Sequence, residues 1–434
     1  MVMRILFISR DLIAGNLALL LSKEGHEVKL YIWEKMSKDC FDGLVEKTAN
    51  WKNELGWVGK DGLIVFDDVG YGKIQDGLRK SGYTVFGGNA LADRIELNRE
   101  FGHDIFNQYG LKTVPLKSFR GARSAIEYVQ SQKKAWVLKN NNNHHKFFNY
   151  VGHFSDGRDT IGVLENFAVN KSIRNKIITL QERIDGVEIG VGRYFNGTDW
   201  VGPIEYNVEH TKFFPGDLGP TTNELGTLAW FDTDEDNMLY KEFSKLKPFL
   251  QKTGFKGDFS INFIVNEKGA FPLEPTARLG TPISHLHSEM FESPWGEFMY
   301  AIAKGEPYDL KWKKGYGVVL LIAVPPFPYA KKMSTDFLKG MHIYFDKVTK
   351  DEMKHIHFEE VSVKKYDGKD QYYIADHQGY IMYVTSNEKT ISEARNSANT
   401  LAEKIFIPKM LYRRDIGERF ENEGLPLLKK LGYF

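Results

Sequence analysis

The stretch GDFSINFIVNEKGAFPLEPTARLG, from Gly257 to Gly280, gathers the most chemically suggestive side chains of the chain. Two apolar runs, Phe259 to Val265 and Ala270 to Glu274, flank the turn Asn266-Glu267-Lys268-Gly269 and predict a β-hairpin. Side chains alternate along a strand, so Glu274 and Thr276 share a face, with Asn262 on the preceding strand as a neighbour across the turn. Oxygen ligands ending in a carboxylate suit Mg²⁺, which prefers hard donors and is usually shared with substrate phosphates. Arg278 follows at a spacing that lets it face the same cleft and neutralise developing phosphate charge. By themselves these residues more simply describe an edge strand whose carboxylate is solvated before the Pro275 break.

Other reactive residue types are less telling. His144, His145 and His153 could suggest a metal site but read better as a polar loop. His285 and His287 would share a face if their segment were extended. Arg413 and Arg414 could reach an anionic substrate, or could equally form a helix-start salt bridge with Asp415 or Glu418. Cys40 has no adjacent base to activate it.

The elements that position these residues alternate between strand and helix patterns. Arg4 to Ile8 is a short apolar strand, Leu17 to Leu21 sits in a helical pattern closed by Gly25, and Glu27 to Trp33 is a second strand. Gly62 to Phe66 and Tyr83 to Gly88 continue the alternation, which implies a parallel sheet covered on both faces. Asp93 to Tyr109 reads as one helix. Ala135 to Lys139, Tyr150 to Gly152, Ile177 to Gln181 and Glu188 to Phe195 read as strands. A last unit opens after Gly315 with Val318 to Val324, a proline-rich break and a helix over Ile391 to Phe406. No internal repeat is visible, and Asn140 to Asn143 is the one low-complexity patch.

Composition narrows the class. At 434 residues the chain has room for about three domains. Lys and Arg total 58 against 57 Asp and Glu, a net charge of +1, which argues against a surface built for nucleic acid. The single cysteine excludes an intramolecular disulfide and a cysteine-based zinc site. No apolar run approaches the 18 or so residues of a spanning helix. Met1 to Ile8 lacks a cleavage region, so a cytoplasmic enzyme is the expectation.

Five motifs then carry a resemblance. The stretch LQERIDGVEIGV resembles the hinge of ATP-grasp enzymes, in which a strand end meets adenine and a later carboxylate holds the ribose. VLKN supplies a strand-end lysine of the kind that contacts ATP phosphates in that superfamily. EHTKFFPGDLGPTTNELGT is similar to the D-H-K-R-x-G-D-G-D-x-G-P-N-T-G-G-M-G run of the phosphoribosylamine–glycine ligase (glycinamide ribonucleotide synthetase) family. MLYRRDIG is close to that family's tyrosine-arginine-basic-aspartate-isoleucine-glycine signature, and LEPTARLGTP resembles its E-x-N-x-R-F-G-D-P-E. VFGGNALADRIELNREFGHDIFNQYGLKTVP and GVVLLIAVPPFPYAKKM track two further family segments, so the likeness keeps its order along nearly the whole chain. It implies a multi-domain α/β protein with the ATP-grasp fold, an N-terminal parallel-sheet, Rossmann-like domain and a C-terminal α+β domain. The expected boundaries are 1–95, 96–185 and 186–312 for the N-terminal domain and the small and large ATP-grasp lobes, then 313–434.

Carried over residue by residue, the resemblance implies an ATP site of Arg99, Lys139, Lys146, Gln181, Glu182, Ile184 and Glu188. Lys139 matches the phosphate lysine, Arg99 stands for an earlier lysine, and Gln181, Glu182 and Ile184 occupy the hinge, with Glu188 as the ribose carboxylate. Glu274 matches the principal Mg²⁺ ligand, Thr276 replaces an asparagine, and Asn262 falls where related enzymes have another ligand. Lys139 and Arg278 are the implied catalytic pair. Substrates would meet Arg10, Asn16, His210, Lys212, Asp217, Gly219, Pro220, Thr221, Arg278, Gly280 and Arg413.

The departures are specific. The family's glycine-rich first turn, which cradles an anion through backbone N–H groups, here reads Ser9-Arg10-Asp11-Leu12-Ile13-Ala14-Gly15-Asn16. Its glycine-rich phosphate loop is replaced by Asn140 to Phe147, with Lys146 in place of the second lysine. Asn223-Glu224 replaces a glycine pair, and Thr281 and Ile283 replace two acids.

The resemblance implies an ATP-dependent, ADP-forming carboxylate–amine ligase that uses ATP and Mg²⁺ (or Mn²⁺) and works through an acyl phosphate. Its expected partners are small molecules, with no nucleic acid and no membrane, in a monomer or dimer. Two alternatives stand beside it: a ligase of the same fold with a different amine or amino acid, in a specialised viral or secondary-metabolic pathway, and a nucleotide binder without turnover.

Overall fold

The computed structural model describes residues 2–10, 12–140, 149–170, 176–329 and 338–434. The chain forms two compact units, one of residues 1–93, 189–261 and 276–434, the other of residues 94–188 and 262–275.

The first unit opens with a parallel sheet in the spatial order Glu27–Ile32, Arg4–Ser9, Leu63–Phe66, Thr84–Phe86. Ile5 faces Leu63, and Leu63 in turn faces Thr84. Its inner strands are continuous apolar runs because both faces are covered. Leu6, Ile8, Ile64, Phe66 and Val85 pack with Trp51, Tyr71 and Leu78 on one of these faces. The helix Gly15–Lys23 opens on a glycine packed against Leu12, whose Cδ2 a Cβ there would meet at 2.8 Å. Gly25, at φ 91°, turns the chain out of it.

The same unit holds a large sheet in the order Lys256–Asn266, Val187–Asn196, Trp200–Glu209, Gly226–Asp232, Tyr316–Ala323, Tyr380–Glu388, Ile356–Phe358. From Val187–Asn196 onward the neighbours are antiparallel. The stretch after Gly315 therefore adds strands to the sheet that already contains Gly226–Asp232. Val319, Leu321 and Ala323 pack there with Leu225, Ala229, Leu286 and Met290. Among the described residues no helix is long and apolar enough to cross a membrane.

The second unit is built on an antiparallel sheet in the order Leu116–Arg120, Ile177–Glu182, Trp136–Asn140, Tyr150–Val151. Trp136, Leu138, Ile178 and Leu180 bury one face against Ala122, Ala125 and Val129 of one helix and Leu164 and Phe167 of another. The end of Lys256–Asn266 and the strand Gly269–Thr276 form the expected hairpin.

Three local expectations need correction. Asp93 to Tyr109 is two helices, Ala90–Leu97 and Arg99–Gln108, because the Asn98 side chain accepts from Phe101 N–H and caps the second. His285 and His287 lie on the helix Ile283–Met290 rather than on an extended segment. The helix from Ile391 stops at Ala402, and Ile405–Phe406 is a short strand against Tyr344–Phe345.

Candidate functional site

In the second unit the sheet and the helix Arg99–Gln108 bring a set of cations, carboxylates and unmatched donors together. Lys139 lies near the end of the strand Trp136–Asn140, opposite Thr179. It is half-buried, and burial together with the nearby Arg99 lowers its pKa to about 8, against the pull of Glu274 and Glu188. Arg99 opens its helix and donates Nη2–H to Glu274 Oε2 at 3.2 Å. Its Nη1 is buried and has no partner among the described residues. Gln181 is buried at mid-sheet, paired with Val137 and Leu116, and its Nε2 is likewise unmatched. Glu182 pairs with Lys134 at 2.8 Å, Ile184 is half-buried, and Glu188 is exposed. A cavity of about 10 Å³, room for a single water, is lined by Arg99, His103, Phe106, Leu273 and Glu274. Lys146, His144, His145 and all of residues 141–148 lie outside the described residues.

The donor set decides which metal would fit. Among the described residues no three His, Cys, Asp or Glu side chains converge as a metal cage. Glu274, half-exposed, and Asn262, half-buried on the hairpin, offer one carboxylate and one amide. That suits Mg²⁺ or Mn²⁺ shared with nucleotide phosphates, and does not suit a metal held by protein alone.

The first unit carries the other half of the expected set. Thr276 is half-buried, and Arg278 is fixed by Asp68, Nε to Oδ1 at 3.4 Å, and by donating to Leu279 O. Asp68 follows the strand Leu63–Phe66 and is itself buried. A Cβ on Gly280 would meet Ile283 Cγ2 at 2.3 Å, so the turn into the helix Ile283–Met290 needs glycine. Gly280 N–H also bonds the buried Asp258, whose carboxyl is pushed up to about 7 by burial. His287 bonds Glu205 at 2.6 Å and Tyr194 at 2.8 Å, while His285 stacks on Tyr383 and His357. Both histidines are thus used inside the fold.

Arg413 is 1% exposed and makes four hydrogen bonds within the protein. It bonds Asp415 at 2.7 Å, Asp217 at 3.1 Å and Lys212 O at 2.9 Å, pinning the hairpin of Lys212–Phe214 and Leu218–Thr221. On that hairpin Lys212 Nζ donates to Thr221 Oγ1 at 3.0 Å. Gly219, at φ 83°, lies so close to the Phe214 ring that a Cβ would overlap it, and Pro220 is half-buried. His210 is buried, accepts from Gly417 N–H at Nε2, and is lowered to about 4 by burial and by Arg413.

The first strand–helix turn is filled by a carboxylate that follows the strand Leu63–Phe66. Asp67 Oδ2 accepts from Ser9 Oγ at 2.6 Å and from Ala14 N–H at 3.2 Å, and Ser9 Oγ accepts from Leu12 N–H. Asn16 gives its amide to His357 Nδ1 and takes Phe358 N–H, and the Arg10 guanidinium lies beside Gly70. His103, Asp67, Asp68 and Asp258 were not among the expected residues. Asp67 and Asp68 stand where the resembled family has a proline and a glutamate, and His103 follows Arg99 by four residues on a helical face.

No family model matches the chain. It is 24% identical over 396 residues to the phosphoribosylamine–glycine ligase of Clostridium acetobutylicum, covering 89% of each chain. The crystal structure of phosphoribosylamine–glycine ligase from Thermotoga maritima superposes with a TM-score of 0.71 at 19% identity, over 95% of this chain and all of that one. The biotin carboxylase domain of 2-oxoglutarate carboxylase from Hydrogenobacter thermophilus, solved with MgADP and bicarbonate, gives a TM-score of 0.65 at 13% identity, over 94% of this chain and 91% of that one. The chain has the ATP-grasp fold of these structures and is similar, along most of its length, to phosphoribosylamine–glycine ligases.

Proposed function

We propose that the chain is an ATP-dependent, ADP-forming ligase that joins a carboxylate to an amine through an acyl phosphate. The observation that carries this reading is the cluster of cations and buried donors in the second unit. Burial and Arg99 bring Lys139 down only to about 8, and Arg99 Nη1 and Gln181 Nε2 are buried donors with no partner among the described residues. Buried donors are costly to leave unmatched, so a ligand rich in acceptors is expected there. Arg99 and Lys139 would hold the phosphates, Gln181, Glu182 and Ile184 the base, and Glu188 the ribose. Glu274, with Asn262 and Thr276, would hold Mg²⁺ or Mn²⁺, which neutralises phosphate charge when bound.

In the proposed reaction a carboxylate oxygen attacks the γ-phosphorus and ADP leaves, giving an acyl phosphate. The amine nitrogen then attacks the acyl carbon, phosphate departs, and the nitrogen loses a proton to form the amide. Lys139 and Arg278 supply positive charge where negative charge develops. An acyl phosphate hydrolyses in water, so exclusion of solvent is part of the function. Release of ADP over a grid of amino acids crossed with amines, phosphoribosylamine included, tests the proposal, and no substrate-dependent ADP release from any pair would overturn it.

One observation favours an amine other than phosphoribosylamine. The backbone N–H of Ala14 is already bonded to Asp67, in the turn where the resemblance implies that an anion binds. A dianionic phosphate would have to displace or lie beside that carboxylate.

A further inference from the structure

His103 carries the same signature as the nucleotide residues, although the resemblance assigns it nothing. It lies one helical turn beyond Arg99, so the two side chains leave the same face of the helix Arg99–Gln108. It is 6% exposed, and its Nε2 has no partner among the described residues. It lines the same small cavity as Arg99 and Glu274. We propose that His103 is a direct ligand of the nucleotide, donating its Nε2–H to an oxygen of the polyphosphate.

The chemistry favours an anionic acceptor. A buried ring nitrogen beside two cations gains nothing from a third donor, whereas a phosphate oxygen satisfies all of them together. Burial, Lys139 and Arg99 depress the imidazole to about 4, so it meets the ligand as a neutral ring with one N–H. A neutral donor fixes the direction of the phosphate chain without adding a further positive charge beside Lys139 and Arg99. The competing account is a packing role, since the ring also lies 6.1 Å from Phe106.

This inference rests on the nucleotide reading above, and the experiment separates the two. ADP and adenosine are titrated calorimetrically, with Mg²⁺ present, into the full chain and into His103→Phe and His103→Gln. Phenylalanine keeps the ring and loses the donor, whereas glutamine keeps an N–H donor and loses the ring. The phosphate contact predicts that His103→Phe weakens ADP by about ten-fold or more, with adenosine unchanged and His103→Gln close to wild type. ADP binding by His103→Phe equal to wild type would overturn the inference. So would an equal loss in both variants, or a parallel loss of adenosine, since each points to packing. Where the phenylalanine variant does not fold, His103→Leu takes its place in the same comparison. A wild-type chain that binds no ADP would instead remove the nucleotide reading, and the inference with it.

Discussion

Glu274 and Lys139 bear on the proposed chemistry in different ways, and their surroundings say how each fails. The Glu274 side chain is 52% exposed and pairs with Arg99, so its truncation removes little buried packing. Glu274→Ala is expected to fold with a wild-type melting temperature and to lose ADP release with either Mg²⁺ or Mn²⁺. Near-normal turnover in a coupled ADP assay would move the metal ligand elsewhere. Lys139 is held partly out of water, its pKa brought down to about 8 by burial and Arg99 against the pull of Glu274 and Glu188, and the proposal gives its charge a phosphate partner. Lys139→Ala should therefore reduce kcat/KM for ATP by ten-fold or more, about 1.4 kcal/mol of transition-state binding, and leave the KM for the amine unchanged. Steady-state kinetics with each substrate varied in turn would show it, and unchanged ATP kinetics would put the phosphate contact on another residue.

At the scale of elements, the helix Ile283–Met290 shows what local pattern can and cannot reveal. Its buried Glu289 is pushed up by burial but pulled more strongly down by His355 and Lys313, to about 2, while His355 is raised chiefly by its bond to Glu289. The Glu289 contribution is full above its unfolded value near 4.5 and is lost as pH falls from there toward 2. The His355 contribution is full below about 6.5 and is lost as pH rises through its elevated folded value. His355→Gln should thus destabilise most between about pH 4.5 and 6.5, by about 1 kcal/mol after allowing for the partial exposure of His355. Urea unfolding of both proteins across pH 3 to 9 reads this directly, and a pH-independent difference would sink it. The sequence made the hairpin around Asn266, the parallel strands and the strand ending near Lys139 legible, because each is encoded by side-chain period and turn residues within a dozen positions. It did not reveal the break at Asn98, where one capping side chain outweighs a continuing helical pattern. Nor could it pair Arg413 with Asp217, 196 residues away, or show that His285 and His287 sit on a helix and meet Tyr383, Glu205 and Tyr194 from distant parts of the chain.

Across the whole molecule, likeness and divergence pull in opposite directions, and the conflict concentrates on the amine. The match to phosphoribosylamine–glycine ligases covers 89% of the chain, and the GDLGP and YRRDIG stretches persist in a folded, mutually bonded arrangement. Yet that arrangement spends Arg413 internally, between Asp217 and Asp415, so it offers no free guanidinium to an anionic substrate. The first strand–helix turn, which the resemblance makes the phosphate cradle, has Asp67 bonded to Ser9 and Ala14 and has Asn16 committed to His357 and Phe358. A second anion beside Asp67 would meet like-charge repulsion, and the remaining counter-charge in the turn is Arg10. The expectation is weak or absent use of phosphoribosylamine and better use of an amine with less negative charge. Competition between phosphoribosylamine and uncharged or singly charged amines, at saturating ATP and glycine, measures the ratio of their kcat/KM values. Asp67→Asn should shift that ratio toward the phosphorylated amine, because it removes the repelling charge while keeping an oxygen to accept from Ala14 N–H. Efficient formation of glycinamide ribonucleotide by the wild-type chain, with kcat/KM at or above roughly 10⁴ M⁻¹s⁻¹, would mean that Arg10 alone overcomes Asp67 and that the relatives' own reaction is retained.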